Sequence, residues 1–111
     1  MENDFEIKKI IRVEAKGVNT YLFYAGGDRE MVGNSIDELE EEFSEWNFVR
    51  IHPRHLINRD YYKRMSAFSS PAVELSDGTL LPADRELISG MIPDKQKNWK
   101  QRLLQIIHLK F

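Results

Sequence analysis

The sequence predicts a single, mainly β domain with small antiparallel sheets, one or two packed helices and a C-terminal helix. Three observations support this fold class. Short runs rich in Ile, Val, Tyr and Phe fill the first third of the chain and are separated by glycine turns. A helix-capping signature follows at residues 35–43. The length of 111 residues, with 41% hydrophobic and 31% charged residues, fits one globular domain with a modest core.

The first third is predicted to form a three-stranded meander over residues 6–14, 18–24 and 29–33. Within the first strand, Ile7, Ile11 and Val13 share one parity, so we expect them on one face. Gly26 and Gly27 are expected to form the turn before the third strand, because glycine readily adopts positive φ. A phosphate loop is the alternative for this glycine pair, but the Gly-Lys-Ser/Thr that completes such a loop does not follow.

The clearest helix begins after Ser35. Glu38 stands three residues later and completes a capping box, and Ile36, Leu39 and Phe43 follow at helical spacing. This pattern places the acidic residues of the segment mostly on the outer surface. We therefore predict an amphipathic helix with an acidic solvent face.

The middle of the chain is predicted to hold shorter elements. Pro53 ends a strand because proline cannot donate to the ladder. A Ser-Asp-Gly-Thr turn at residues 76–79 joins two further short strands. The predicted strands cover residues 48–52, 61–68, 72–75 and 80–82, and a short helix is expected over residues 84–92.

Pro93 divides the chain into a domain over residues 1–92 and a basic tail over residues 93–111. Trp99, Leu103, Ile106 and Ile107 recur roughly at helical spacing in this tail. We expect an amphipathic helix that packs on the domain or on a second copy and stays outside the binding surface of the domain.

Several classes of protein are excluded by the residue inventory. Without cysteine there is no disulfide framework, thiolate metal site or Cys nucleophile. No serine lies in a Gly-x-Ser-x-Gly elbow, and His52 and His55 straddle Pro53 without an acidic cluster to complete a metal site. No apolar run approaches the ~20 residues that span a bilayer, and the acidic N-terminus is unlike a secretory signal. We expect a soluble cytoplasmic protein without enzymatic activity, cofactor, metal or small-molecule substrate.

Charge is strongly separated along the chain although the net charge is only −2. Residues 36–45 contain only acidic charged side chains, whereas basic residues dominate the segment 50–64. The basic side chains of that segment are Arg50, Arg54, Arg59, Lys63 and Arg64. They form either a solvated face or a surface for an anionic partner, and composition alone leaves both readings open.

Residues 48–58 resemble the signature of the LytTR family of bacterial DNA-binding domains, which reads Phe-x-Arg-x-His-Arg-Ser-x-x-Val-Asn. Four residues are identical to the signature at the corresponding positions: Phe48, Arg50, His52 and Asn58. Ile57 replaces the valine conservatively.

Other landmarks extend the resemblance over about residues 7–92. Ile10, Glu14 and Ala15 are similar to the family's opening strand, and the helix after Ser35 resembles its Ser-Leu-x-Glu-Leu-Glu element. Residues 77–82 resemble its Asp-Gly-x-x-Ile-Pro close, with Arg85 at the arginine place.

The resemblance implies an elongated, mainly β domain that inserts loops into the major groove of duplex DNA. Such domains are usually the output half of response regulators in bacterial two-component systems and control transcription. The implied contact regions are the loop at residues 16–19, the stretch 52–58 and the segment around Arg85. Binding of two copies to paired sites is expected, since one small module buries limited surface. The candidate contact residues are Lys16, Asn19, Arg50, His52, Arg54, Asn58, Arg59, Lys63, Arg64 and Arg85.

Two positions depart from the family pattern. Pro53 and Arg54 replace the polar pair after the histidine, so the base contact is expected to move to Arg54. Asp84 stands beside Arg85, where a carboxylate repels phosphate, pairs with Arg85 or caps the following helix. An alternative function is therefore a protein-interaction module that keeps the fold and has lost DNA binding. The family's usual preceding receiver domain is outside these 111 residues, so the chain is either a stand-alone protein or a fragment.

Overall fold

Two antiparallel sheets organise the part of the chain that the computed structural model describes, residues 4–66 and 69–91. The first sheet has five strands in the order β3-β2-β1-β5-β4, and the second has three in the order β6-β7-β8. The strands are β1 Ile10–Lys16, β2 Asn19–Tyr24, β3 Arg29–Val32, β4 Phe48–His52, β5 His55–Asn58, β6 Tyr62–Ser66, β7 Ala72–Leu75 and β8 Leu80–Pro82. The helices are α1 Asp4–Lys8, α2 Ile36–Glu42 and α3 Arg85–Ile88, with 3-10 turns at Arg59–Tyr61 and Ser89–Met91. The mainly β fold class is confirmed, whereas the predicted tail helix lies outside the described residues.

The predicted meander forms as β1, β2 and β3, but its first strand differs in two ways. Residues 6–8 belong to helix α1, so β1 begins at Ile10 and runs on to Lys16. A register shift between Ile10 and Arg12 interrupts the alternation of side chains. Ile11 and Val13 consequently pack in different clusters, so the expectation that they share one face is wrong.

Helix α2 forms as the capping box predicts. The Ser35 hydroxyl accepts a hydrogen bond from the Glu38 amide at 3.1 Å, and the Glu38 carboxylate accepts one from the Ser35 amide at 2.8 Å. Its apolar stripe packs on one face of the five-stranded sheet. The cluster there contains Ile36, Leu39 and Phe43 from the helix segment and Val13, Leu22 and Leu56 from the sheet.

The opposite face of the five-stranded sheet is covered by the three-stranded sheet and α3. This second cluster joins Ile11, Ile51 and Ile57 of the first sheet to Val73, Leu75, Leu81 and Ile88. Strand β5 thus lies between two clusters, with Leu56 facing one and Ile57 the other. All four of its residues are buried, which explains why it lacks the alternation of a half-exposed strand.

The short helix expected after residue 84 is observed as α3, continued by a 3-10 turn to Met91. Asp84 caps it, because its carboxylate accepts hydrogen bonds from the amides of Glu86 at 2.9 Å and Leu87 at 3.3 Å. Among the described residues, the longest helices are too short and too polar to cross a membrane.

Candidate nucleic-acid interface

Two hairpin turns lie side by side at one end of the five-stranded sheet. Lys16 pairs with Asn19 across the β1–β2 hairpin, which leaves a two-residue turn between them. His52 pairs with His55 across the β4–β5 hairpin, which leaves Pro53 and Arg54 at the tip. The Ala15 amide donates a hydrogen bond to the Arg54 carbonyl at 2.9 Å, so the turns are joined directly.

The start of α3 joins the same end of the sheet. The Asp84 amide donates a hydrogen bond to the Ile51 carbonyl at 2.6 Å, one residue before His52. Arg85 follows as the first residue of α3, and its side chain is exposed. We call the surface formed by residues 15–19, 52–55 and 83–85 the loop end. The fold therefore gathers the three sequence segments that were expected to contact DNA.

The turn that carries Arg54 is held by its neighbours. Arg50 donates from Nε to the His52 carbonyl at 2.9 Å and from Nη2 to the Pro53 carbonyl. His52 Nδ1 accepts a hydrogen bond from the Arg54 amide at 3.1 Å. Arg54 itself is exposed, so its guanidinium is the group that this turn presents to a ligand.

Arg50 also contacts the acidic helix. Its Nη1 lies 2.8 Å from Asp37 Oδ1 and 2.8 Å from Glu40 Oε1, and its side chain is only 13% exposed. Every nitrogen of its guanidinium therefore has a partner within the protein. Four of the five N–H donors of the guanidinium are thus engaged within the protein, which favours a structural role for Arg50 over a direct contact with DNA.

Asn58 is likewise committed to the interior. It is 2% exposed, its Nδ2 donates to the Ile10 carbonyl at 2.9 Å, and its Oδ1 accepts from the Asp60 amide at 3.0 Å. It pairs with Phe48, at the opposite end of β5 from Arg54. These contacts favour a role for Asn58 in fixing the turn that follows β5 over a contact with DNA.

His55 lies buried beneath the β4–β5 turn. Its Nδ1 is 3.9 Å from Glu14 Oε1 and has no hydrogen-bond partner among the described residues. Burial lowers the pKa of His55 from 6.5 to about 4; nearby Glu14 opposes this shift, while His52, Arg12 and Arg54 add to it. The imidazole is therefore neutral at pH 7 and contributes no cation to the loop end.

The β1–β2 turn presents a residue that the sequence reasoning missed. Gly17 adopts φ +62°, as a tight hairpin requires of its first residue, and Val18 beside it is 100% exposed. Lys16 is exposed as well, and Asn19 is half-buried. A β-branched apolar residue at a turn position that usually holds Asn, Asp, Gly or Ser is the signal that could have identified Val18.

Three other predicted contact residues lie away from the loop end. Arg59 follows β5 at its opposite end, where its amide donates to the Asn47 carbonyl at 2.7 Å. Lys63 and Arg64 lie in the three-stranded sheet and both contact Glu74, at 3.6 Å and 2.6 Å. None of these three cations belongs to the segments that form the loop end. No cluster of three or more metal-ligating His, Asp or Glu side chains occurs within residues 4–66 and 69–91.

Comparisons with known proteins agree with this architecture. A family model described as the LytTr DNA-binding domain matches residues 4–91. Among solved structures, the chain is similar to the LytTr DNA-binding domain of a putative methyl-accepting/DNA response regulator from Bacillus cereus, with a TM-score of 0.67 and 21% identity over 76% of this chain and 78% of that one. At this identity the likeness concerns the fold. A comparison with curated proteins found no match.

Proposed function

Because this chain belongs to the LytTR family of DNA-binding domains, we propose that it binds duplex DNA sequence-specifically through the loop end, as a transcriptional regulator or the output module of one. The observation that carries the proposal is the convergence of three chain segments on one end of the sheet. Lys16, Arg54 and Arg85 are exposed there, although 30 or more residues separate each from the next in sequence. A fold that exposes cations from separate segments on one edge suits an anionic ligand.

A single hairpin tip, rather than the whole edge, fits the width of the major groove. Adjacent strands lie about 4.8 Å apart, so the four strands that carry the two turns span about 14 Å. The major groove of B-DNA is about 12 Å wide and admits a two-stranded ribbon. Each hairpin tip is therefore narrow enough to enter the groove, while flanking strands meet the backbone.

Side-chain chemistry assigns different roles to the exposed groups. The guanidinium groups of Arg54 and Arg85 can donate two hydrogen bonds to guanine, and the side-chain amide of Asn19 can form a hydrogen-bonded pair with adenine. Lys16 is suited to a phosphate, which carries no sequence information. Val18 is suited to the methyl group of thymine, because its exposed side chain offers only apolar surface.

The structure bears on one feature that argued against DNA binding. The Asp84 carboxylate accepts hydrogen bonds from the amides at the N-terminus of α3, and these amides offset part of its negative charge. A capping role accounts for an acidic residue beside Arg85 without requiring a protein partner. The proposal also includes two copies bound at paired sites, in the cytoplasm of a bacterium, without enzymatic activity.

The alternative is an interaction module that keeps the fold and does not bind DNA. The acidic surface of helix α2 supports this alternative. Its carboxylates include those of Asp37 and Glu40, which contact Arg50 beside the β4–β5 turn. Such a surface would attract a basic partner and repel phosphates.

Selection of a binding site from random duplexes, followed by fluorescence anisotropy, tests the proposal. Arg54→Ala is expected to reduce the preference for the selected site over a scrambled duplex by about 5- to 150-fold, the equivalent of 1–3 kcal/mol for one bidentate base contact. Arg59→Ala is the matched control, since it removes the same charge at the opposite end of β5. Equal effects of the two substitutions would contradict the assignment of the loop end, and failure to select any duplex would favour the interaction module.

A further inference from the structure

The guanidinium of Arg50 links acidic helix α2 to the turn that carries Arg54. Its Nη1 binds Asp37 and Glu40, at 2.8 Å each, while Nε and Nη2 bind the carbonyls of His52 and Pro53. These are the last two carbonyls before Arg54. The planar fork of arginine makes these contacts at fixed angles, so it orients both peptide groups that lead into Arg54.

We propose that Asp37, Glu40 and Arg50 form a positioning clamp that presents Arg54 to DNA. The proposal rests on the function proposed above and adds a role for acidic residues in it. Two carboxylates of a helix whose charge opposes DNA binding are needed for base discrimination. Arg50 acts through Arg54 and does not touch DNA.

The carboxylates are needed because they hold Arg50 in place. Without them, Nη1 would lose both of its partners, and the guanidinium could leave the two carbonyls for solvent or a phosphate. The Arg54 backbone has two other supports, its amide on His52 Nδ1 and its carbonyl on the Ala15 amide. The turn would therefore persist, but its tip would sample more orientations, which reduces the advantage of a preorganised contact.

Charge-removing substitutions on α2 test the clamp by their effects on affinity and on site preference. Glu40→Gln and Glu41→Gln remove the same charge from the same helix, but only Glu40 contacts Arg50 among the bonds described. Simple charge repulsion predicts that both variants bind every duplex slightly more tightly. The clamp predicts that Glu40→Gln also lowers the preference for the selected site at least threefold, whereas Glu41→Gln leaves this preference unchanged. Equal preferences in the two variants would overturn the clamp.

A double-substitution cycle separates positioning from direct contact. Arg50→Lys keeps the positive charge, but a single ammonium group cannot reach the same four acceptors. If Arg50 acts through Arg54, Arg50→Lys reduces site preference in the wild-type background and has no further effect in Arg54→Ala. Additive losses would mean that Arg50 contacts DNA independently and would overturn the proposal. Urea midpoints of all four proteins verify that they are folded under the binding conditions.

Hydrogen exchange in the free protein tests the clamp without DNA. The Arg54 amide is hydrogen-bonded to His52 Nδ1, so its protection reports on the order of the turn. Protection is expected to fall in Arg50→Lys and Glu40→Gln, and to stay at the wild-type value in Glu41→Gln. Unchanged protection in all three would overturn the clamp even if DNA binding is established. Selective loss of protection with no DNA binding would instead show that the clamp orders the turn and that the proposed function has failed.

Discussion

Asn58→Ala separates a structural role from a DNA-binding role at one position. The side chain is 2% exposed and makes two hydrogen bonds, to the Ile10 carbonyl at 2.9 Å and from the Asp60 amide at 3.0 Å. Losing the bond to Ile10 leaves a polar group without its partner in the core, at a cost of about 1–3 kcal/mol. Losing the cap on the Arg59–Tyr61 turn costs about 0.5–2 kcal/mol more.

The expected loss for Asn58→Ala is therefore about 1.5–5 kcal/mol in the free energy of unfolding, measured by urea titration with circular dichroism. Asn47→Ala is the matched control, because Asn47 Nδ2 also bonds Asp60, at 2.9 Å, but on the surface. That substitution is expected to cost about 1 kcal/mol or less. Site preference measured on folded Asn58→Ala protein is expected to equal that of the wild type. A stability change under about 0.5 kcal/mol, together with a lost site preference, would refute the structural role of Asn58.

Three further predictions address charge, pH and shape. The pKa of His55 is about 4 in the folded protein and 6.5 ordinarily, so the unfolded chain binds more protons between these two pH values. The free energy of unfolding is therefore expected to fall by up to about 3 kcal/mol as pH drops from 6.5 to 4, which urea titrations across this range should show. An equal loss in a His55→Gln variant would contradict the assignment of this effect to His55. Lys16→Ala is expected to flatten the plot of log K against log salt by about 0.9, because it removes one phosphate contact. Lys63→Ala is expected to leave this slope unchanged, because Lys63 lies in the three-stranded sheet, outside the loop end. Equal changes in the two slopes would mean that Lys63 also contacts a phosphate. Replacing a thymine of the selected site by deoxyuridine removes its methyl group, and at the thymine that Val18 contacts this should weaken wild-type binding about fourfold. If the Val18→Ala variant loses as much affinity at that thymine, Val18 does not contact its methyl group.

Local signals in the sequence were enough for most elements of the fold. The capping box at Ser35 and Glu38 predicted α2, and the Asp-Gly turn at residues 76–79 predicted the pairing of β7 with β8. Strand β5 was missed because His55–Asn58 is buried throughout and carries no alternation. The helical turn at residues 6–8 was missed because Ile7 continues the apolar parity of the strand that follows.

The candidate site was predictable in its segments and less so in its individual roles. Family resemblance identified the turns around Lys16 and Arg54 and the position of Arg85, and the fold brings them together. The contacts of Arg50 with Asp37 and Glu40 could not be predicted, because these residues lie 13 and 10 positions away and meet Arg50 only through tertiary packing. Side-chain spacing along β4 could not show whether the guanidinium points to helix α2 or to a ligand. The exposure of Val18 was open to prediction, since turn chemistry disfavours valine there.

Titration of the isotope-labelled chain with the selected duplex tests most directly whether the loop end binds DNA. Backbone amide resonances are followed at each step, and a scrambled duplex serves as the reference. If the loop end binds DNA, the largest site-dependent shifts occur at Lys16, Val18, Asn19, Arg54 and Arg85, with small changes at Arg59 and in the 76–79 turn. Shifts centred on the opposite end of the sheet, or on helix α2, or no shifts at low salt, would contradict it.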